Sequence, residues 1–239
     1  MIELGRLKNK TVVITGATGG IGKETAILLD RLGANLVLGA RNESLLETIA
    51  SRMKTKPLAL PLDVTDEQSV RRFADEAVSK YGKIDALINS AGTGVFGSFL
   101  TLSTEDFDRM ISVNLRGTFL CCKYFGRHMV RNREGRIINI ISIAGTTALP
   151  GCGGYSASKF GVLGLSRVMQ NELREKGVYV TAVLPGAVAT PFWDKIGNKP
   201  DMSQMIPVRS LAQHLILILC QPDGAVVDEM TVMPPLGIL

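Results

Sequence analysis

Residues 142–159, with the sequence SIAGTTALPGCGGYSASK, contain three side chains that could together exchange a proton with a bound molecule. Tyr155 and Lys159 are four residues apart in a strongly helical stretch, so they share one face of the predicted helix. A tyrosine hydroxyl has an unperturbed pKa of about 10, and a neighbouring ammonium group lowers it toward the neutral range. Ser142 follows the apolar segment RIINII, at the carboxyl end of a predicted strand. The pattern predicts a tyrosine acid/base assisted by a lysine and a serine.

A glycine-rich turn lies near the beginning of the chain. The sequence GATGGIG at residues 16–22 follows the apolar segment TVVIT and precedes a helical pattern. Glycine permits the positive φ of a tight turn and leaves no Cβ between the backbone and a ligand. The following helix offers free N–H groups and a partial positive charge to a pyrophosphate. In this context the turn predicts a dinucleotide site.

The end of the second predicted strand helps to choose the dinucleotide. It reads LGARN at residues 38–42, with no acidic residue at positions 39–41 to bind the ribose hydroxyls of NAD. Arg41 can instead offer a planar guanidinium group to the 2′-phosphate of NADP. We therefore expect a preference for NADP(H), while pairing of Arg41 with the nearby Glu43 would leave NAD(H) open.

Strand and helix patterns alternate along the whole chain and must position these groups. Short apolar runs predict strands at 11–15, 35–38, 58–62, 86–88, 136–141, 178–184 and 230–233. Helical periodicity predicts helices at 21–32, 66–80, 105–131 and 155–176. The alternation predicts one α/β domain over residues 1–239: a Rossmann-type, doubly wound, parallel seven-stranded sheet with helices on both faces. Ligands of such sheets bind at the carboxyl ends of the strands.

Composition excludes several other classes of protein. The 239 residues are 46% hydrophobic and carry a formal net charge of +5. The charges alternate in sign without a clustered basic stripe, which argues against nucleic-acid binding. The longest apolar run, LILILC at 215–220, is too short to cross a bilayer, so no membrane contact is expected. The four cysteines and two histidines show no metal-binding spacing, and we expect no metal site. The charged N-terminal segment lacks a signal-peptide pattern, which favours the cytoplasm.

Further short motifs occur in a characteristic order. They are Thr15, Gly16, Gly20 and Gly22 in the glycine turn, Asp63 and Val64 in LDVTD, Asn89-Ser90-Ala91-Gly92, Asn114 in SVNLRG, and Pro185, Gly186 and Thr190 near the sixth strand. Together with Ser142, Tyr155 and Lys159 they resemble the single-domain short-chain dehydrogenases/reductases over essentially the whole chain. Ser90 departs from the family's second asparagine at that place.

The resemblance implies roles for these residues. Asn114, Ser142, Tyr155 and Lys159 would be catalytic: Tyr155 exchanges the proton, Ser142 orients the substrate oxygen, and Asn114 anchors a water that relays protons from Lys159. Lys159 would also hold the nicotinamide ribose. The expected cofactor-binding residues are Thr15, Gly16, Thr18, Gly19, Gly20, Ile21, Gly22, Arg41, Asp63, Val64, Asn89, Ala91, Gly92, Tyr155, Lys159, Pro185, Gly186, Val188 and Thr190. A short loop at about 190–207 would cover the substrate.

These observations predict an NADP(H)-preferring reductase/dehydrogenase acting on a small carbonyl compound or secondary alcohol. One alternative is a 3-oxoacyl-acyl-carrier-protein reductase, with Arg133 and Lys176 docking the acidic carrier, although the tail VVDEMTVMPPLGIL lacks the VDGG ending common in those enzymes. The other alternative is a non-catalytic dinucleotide sensor. Family members commonly assemble as homodimers or homotetramers through their two long helices, which correspond here to 105–131 and 155–176.

Overall fold

Seven parallel strands form the central sheet in residues 3–196, 201–222 and 224–239, the ranges described in a computed structural model. The strands in these ranges are β1 Thr11–Thr15, β2 Asn35–Ala40, β3 Leu58–Pro61, β4 Ala86–Asn89, β5 Gly135–Ile140, β6 Val178–Pro185, β7 Val188–Ala189, β8 Ile206–Pro207 and β9 Glu229–Val232. In the large sheet their order is β3-β2-β1-β4-β5-β6-β9, and β7 and β8 form a separate short pair. The predicted fold class is confirmed.

Helices cover both faces of this sheet. They are α1 Gly20–Arg31, α2 Glu43–Ser51, α3 Glu67–Tyr81, α4 Thr104–Met110, α5 Gly117–Asn132, α6 Gly153–Leu173 and α7 Val208–Leu219. Alternate residues of a strand point to opposite faces: Val12 and Ile14 pack in the layer that contains α1, α2 and α7, whereas Val13 packs in the layer that contains α3 and α5. All five residues of β1 are buried, as expected for a central parallel strand.

The predicted helix at 105–131 is interrupted. Helix α4 ends at Met110, a π-helical segment covers Ile111–Arg116, and α5 follows at once, with right-handed helical φ and ψ angles at both junctions. A π segment adds one residue to a helical turn, so a sequence read at a period of 3.6 residues cannot distinguish it from a regular helix. The segment contains Asn114, and π segments are frequent at functional sites.

The strand order reverses direction between β1 and β4, which opens a crevice at the carboxyl ends of these strands. The glycine turn after β1, the loop after β4 and Ser142 after β5 all lie at this edge of the sheet. In the described ranges, no helix combines the length and apolarity needed to cross a bilayer.

Candidate active site

The glycine turn and the loop after β4 fit against each other with no space for a side chain. Gly16 has φ +67°, and a Cβ there would lie 2.7 Å from the backbone N and Cα of Ala91. A Cβ on Gly22 would lie 2.6 Å from the carbonyl oxygen of Gly16. The Thr15 hydroxyl oxygen accepts hydrogen bonds from the backbone N–H groups of Ser90 and Ala91, each at 3.2 Å. Glycine is therefore required at both positions, and the two loops form one rigid edge of the crevice.

The N-terminus of α1 opens into this crevice. Gly19 precedes the helix and has no side chain to bind the first N–H groups, which stay available to a ligand. Gly19, Gly20 and Ile21 line a cavity of about 700 Å³. Unpaired N–H groups together with the helix dipole suit a phosphate group. The turn therefore fits the pyrophosphate of a dinucleotide.

A second cavity, of about 390 Å³, lies beyond the ends of β2 and β3, and Arg41, Asp63, Ser69 and Arg72 are among its lining residues. Desolvation opposes ionisation of Asp63, but hydrogen bonds from Thr65 and the positive charge of Arg41 outweigh it and hold the pKa of Asp63 below its usual value. The Thr65 backbone N–H and hydroxyl donate to Asp63 Oδ1 at 2.9 and 2.7 Å. The carboxylate is therefore fixed beside a cavity that has two guanidinium groups.

Ser142, Tyr155 and Lys159 meet at the carboxyl end of β5. Ser142 and Tyr155 line the same cavity, and the Ser142 hydroxyl oxygen accepts a hydrogen bond from the Ala144 N–H at 3.1 Å. Tyr155 and Lys159 lie one turn apart on α6, and the Lys159 Nζ is 5.6 Å from the centroid of the Tyr155 ring. Lys159 Nζ donates to the carbonyl oxygen of Ile140 at 3.0 Å. The sequence prediction that these three side chains share one site agrees with this geometry.

The protonation of the pair differs from the sequence expectation. Desolvation raises the pKa of Tyr155 to about 12, although the hydrogen bond with Ser142 favours the phenolate. Burial also lowers the pKa of Lys159 to about 8, and only 5% of this lysine is exposed. The ammonium group lies over the ring face and is directed to Ile140, so it contributes less to the hydroxyl than the spacing suggests. Both groups are therefore shifted toward their neutral forms.

Asn114 connects the loop after β4 to α6. Its Oδ1 accepts from the Thr93 N–H at 2.8 Å, and its Nδ2 donates to the Thr93 carbonyl at 2.9 Å and to the Ser158 hydroxyl at 2.9 Å. The amide group is thus occupied by protein partners. A Cβ on Gly92 would be 3.5 Å from Asn114 Oδ1 and 3.8 Å from Lys159 Nζ, which brings Asn114 close to the catalytic candidates.

Some predicted cofactor-binding residues have side chains that point away from the crevice. The Asn89 amide is buried in the core, where its Nδ2 donates to Asn139 Oδ1 at 2.8 Å and contacts Cys122 Sγ at 3.2 Å. Val64 is also buried, and its side chain packs against Gly117, where a Cβ would lie 2.8 Å from Val64 Cγ2. Thr18 is half-buried within the turn itself. By contrast Gly92, Pro185, Gly186, Val188 and Thr190 line the 700 Å³ cavity.

Several further residues that line the same cavity were not predicted as site residues. They include Ser90, Thr93, Phe96, Leu149, Ile238 and Leu239. Phe96 lies in the loop after β4 only four residues beyond Gly92, and this nearness to a recognised motif was the available signal. In the predicted covering loop, Phe192, Trp193 and Ile196 also line the cavity, whereas residues 197–200 lie outside the described ranges.

Comparison with known proteins agrees with this geometry. The short chain dehydrogenase family matches residues 10–201. The chain is 35% identical to a sepiapterin reductase of Chlorobaculum tepidum over 236 residues, which are 95% of this chain and 96% of the relative. It is 34% identical to a 3-oxoacyl-(acyl-carrier-protein) reductase of Thermotoga maritima over 197 residues, 81% of this chain and 80% of the relative.

Among solved structures, the chain is similar to an alcohol dehydrogenase of the archaeon Thermococcus sibiricus complexed with 5-hydroxy-NADP. The TM-score is 0.87 and the sequence identity 31%, with 95% of this chain and 97% of that chain covered. The family match spans most of the chain, and the two relatives align over 80% and 96% of their own lengths. The chain therefore belongs to the short-chain dehydrogenase/reductase family and is an oxidoreductase that acts on CH–OH groups.

Proposed function

We propose that the protein is an NADP(H)-preferring oxidoreductase that interconverts a carbonyl compound and a secondary alcohol, with Tyr155 as the general acid/base. The observation that carries the proposal is the grouping of Ser142, Tyr155 and Lys159 in one cavity that reaches the glycine turn. A bound nicotinamide supplies or accepts the hydride. All other steps depend on side chains of this chain.

In the direction of reduction, Tyr155 donates its hydroxyl proton to the substrate oxygen while the carbonyl carbon is reduced. A pKa of about 12 keeps this proton on Tyr155 at neutral pH, so the acid is available. Ser142, in the same cavity, donates a second hydrogen bond to the substrate oxygen, which orients it and stabilises the negative charge that develops on it. Lys159 then returns a proton toward Tyr155 and also binds the nicotinamide ribose.

The proposed proton relay through Asn114 must use its backbone carbonyl. The side-chain amide is occupied by Thr93 and Ser158, whereas the backbone carbonyl lies in the π-helical segment and accepts a hydrogen bond from Thr118 Oγ1 at 2.7 Å. A carbonyl oxygen has a second lone pair, which could hold a water. We propose that this water connects Lys159 to solvent.

The NADP(H) preference rests on the cavity lined by Arg41 and Arg72. Two guanidinium groups can form charge-assisted hydrogen bonds with the 2′-phosphate of NADP. Their hydrogen bonds with the uncharged ribose hydroxyls of NAD would be weaker. Arg72 contacts Asp66 only at 3.9 Å, and both residues remain largely exposed, so this contact restrains the arginine weakly. The relative from Thermococcus sibiricus with its bound 5-hydroxy-NADP supports the same choice.

A 3-oxoacyl-acyl-carrier-protein reductase remains the second candidate, because the relative from Thermotoga maritima has that activity in its name. Arg133 and Lys176 would have to dock the carrier. Both are exposed, but they precede β5 and β6 and thus lie at the amino ends of the strands, opposite the candidate site in the same chain. We therefore favour a small carbonyl compound over a carrier-bound substrate.

We also propose that the chain forms a homodimer or homotetramer and works in the cytoplasm. Phe119 on α5 and Phe160 and Val168 on α6 are exposed apolar side chains on the two helices that the family resemblance assigns to assembly. Four free thiols, at Cys121, Cys122, Cys152 and Cys220, fit a reducing compartment. Light scattering of the purified protein tests the assembly.

The oxidation of NADPH in the presence of ketones tests the proposed function directly. We expect a steady loss of NADPH absorbance with a simple ketone, and a lower kcat/KM when NADH replaces NADPH. Binding of NADPH without turnover of any ketone, or of any alcohol in the reverse direction, would favour the non-catalytic sensor instead. Faster turnover of an acetoacetyl thioester on acyl carrier protein than of free ketones would favour the second candidate.

A further inference from the structure

Four aromatic rings surround the reacting end of the 700 Å³ cavity. Phe96 in the loop after β4 and Phe192 in the segment after β7 contact the catalytic candidate Tyr155, with ring centroids at 5.3 and 6.0 Å from the Tyr155 ring. Trp193 joins the group through Phe96 at 5.9 Å and Phe192 at 5.6 Å. We call Phe96, Phe192 and Trp193 the aromatic wall. It places ring surface beside the hydroxyl that meets the substrate oxygen.

The ring geometry is typical of specific aromatic contacts. Phe96 and Phe192 meet at an interplanar angle of 77°, and Phe192 and Trp193 meet at 84°, both edge to face. Phe96 and Trp193 are nearly parallel, at 12°. Rings in these orientations interact through their quadrupoles in addition to burying apolar area. The wall therefore offers edges and faces to a further flat ring.

Trp193 has a fixed orientation. Its indole Nε1 donates a hydrogen bond to the carbonyl oxygen of Val188 in β7 at 2.9 Å, which satisfies the one polar atom of this side chain. The indole thus presents apolar ring surface to the cavity. Gly94 allows the neighbouring Phe192 to approach, because a Cβ on Gly94 would lie 2.6 Å from Phe192 Cζ. Backbone contacts at Val188 and Gly94 therefore fix the positions of Trp193 and Phe192 in the wall.

Charged side chains are nearly absent from the described lining of the cavity. Among the described lining residues, Lys159 has the only charged side chain, and the proposed function assigns that group to the cofactor ribose. The lining next to the wall is apolar: Ile143, Leu149, Pro150 and Ile196. A substrate carboxylate or phosphate buried there would lose its hydration without gaining a partner. The hydroxyls of Ser142 and Tyr155 suffice for one carbonyl oxygen.

From these contacts we infer the substrate class: an uncharged ketone, or the corresponding secondary alcohol, whose reacting carbon bears a flat aromatic ring that packs against Phe96, Phe192 and Trp193. The inference rests on the proposed function for the type of reaction. What it adds is the class of molecule that the cavity binds. The cavity must also hold the nicotinamide end of the dinucleotide, so the substrate is a small one.

The kinetic test compares three ketones: acetophenone, cyclohexyl methyl ketone and para-acetylbenzoate. Phe96→Leu and Phe192→Leu each remove a ring and keep an apolar side chain. We expect each to lower the ratio of kcat/KM for acetophenone to that for cyclohexyl methyl ketone by about 3- to 10-fold. The intrinsic reactivities of the two ketones and the folded fraction of each variant cancel when this ratio is compared with that of the unmodified protein.

Phe119→Leu is the matched control, because Phe119 is 44% exposed on α5 and does not line the cavity. We expect it to leave the ratio unchanged. An equal fall of the ratio in this variant, or no fall in the Phe96 and Phe192 variants, would overturn the aromatic part of the inference.

For para-acetylbenzoate we expect a kcat/KM about 100-fold below that of acetophenone, owing to desolvation of its carboxylate. Equal values would overturn the inferred selectivity for uncharged substrates.

A binding measurement separates this inference from the proposed function. Trp193 is the only tryptophan in the chain, so its fluorescence reports directly on the wall. In Tyr155→Phe protein saturated with whichever nicotinamide dinucleotide binds more tightly, we expect saturable quenching by acetophenone and about 100-fold weaker binding of para-acetylbenzoate. Selective binding without turnover by the unmodified protein would overturn the proposed reaction and leave the ligand class standing. Unselective or absent binding would overturn the ligand class itself.

Discussion

Lys159 Nζ lies over the face of the Tyr155 ring, 5.6 Å from its centroid, and donates a hydrogen bond to the Ile140 carbonyl rather than to the tyrosine hydroxyl. The lysine is 5% exposed, and burial lowers its pKa to about 8. Desolvation of this ammonium group lowers the free energy of unfolding of the protein. Such a cost at a reaction site indicates that the amine has a function there.

Replacement of this lysine is expected to stabilise the protein while it removes activity. A fall in pKa from 10.5 to about 8 corresponds to a destabilisation of about 3 kcal/mol at neutral pH. The variant also loses the hydrogen bond from Lys159 to Ile140, which offsets about 1 kcal/mol of the expected stabilisation. We therefore expect Lys159→Met to raise the free energy of unfolding of the ligand-free protein by about 2 kcal/mol, measured by urea denaturation.

The same variant makes a prediction about pH. Between the folded pKa near 8 and the unfolded value of 10.5, the unfolded state of the unmodified protein binds more protons, so its stability rises with pH in this interval. The advantage of Lys159→Met is thus fully present below pH 8 and shrinks as the pH rises to 10.5. A constant difference over this range would contradict the assignment of a buried, partly neutralised lysine.

The two directions of the reaction should respond oppositely to pH. Desolvation holds the pKa of Tyr155 well above neutrality, so the protonated form needed for carbonyl reduction dominates at neutral pH. Alcohol oxidation needs the deprotonated form, which becomes more abundant as the pH rises. We expect kcat/KM for oxidation to increase by nearly tenfold per pH unit on the alkaline side of neutrality, while that for reduction stays level and then falls. Parallel profiles in the two directions would count against Tyr155 as the acid/base.

Arg41 should determine much of the cofactor preference. Arg41→Ala removes one charge-assisted contact to the 2′-phosphate, and we expect the ratio of kcat/KM for NADPH to that for NADH to fall by about 10- to 100-fold. Arg71→Ala is the matched control, since Arg71 pairs with Asp75 at 3.7 Å and does not line the cavity that contains Arg41. An unchanged ratio in the Arg41 variant would show that the 2′-phosphate binds elsewhere.

The sequence alone predicted those parts of the molecule whose local residue pattern determines their structure. The buried strand β1, the glycine turn and the spacing of Tyr155 and Lys159 belong to this group, because a fully buried strand and a one-turn separation leave unambiguous periodicities. Helix α7 was missed because its apolar run LILIL is short and buried, and such a run fits a strand or a helix equally well.

The remaining differences arise from tertiary contacts. The direction of the Asn89 amide depends on Asn139, which is 50 residues away on the neighbouring strand. Phe96 reaches the site only because the loop after β4 folds toward Trp193, nearly one hundred positions later in the chain. No pattern within a single segment reports on either contact. The expected influence of Lys159 on Tyr155 followed from spacing alone, whereas desolvation is the largest contribution to the pKa of each group and acts in the opposite direction on Tyr155.

The most direct test of the account removes one oxygen atom from the proposed acid/base. Tyr155→Phe keeps the ring that contacts Phe96 and Phe192, whereas Tyr179→Phe is a matched control on β6 near Arg136, away from the cavity. We expect Tyr155→Phe to lower kcat/KM for ketone reduction by about 1,000-fold and to change the Kd of NADPH by less than about threefold, with no effect of the control. Retention of more than about a tenth of the activity by Tyr155→Phe would contradict the central claim.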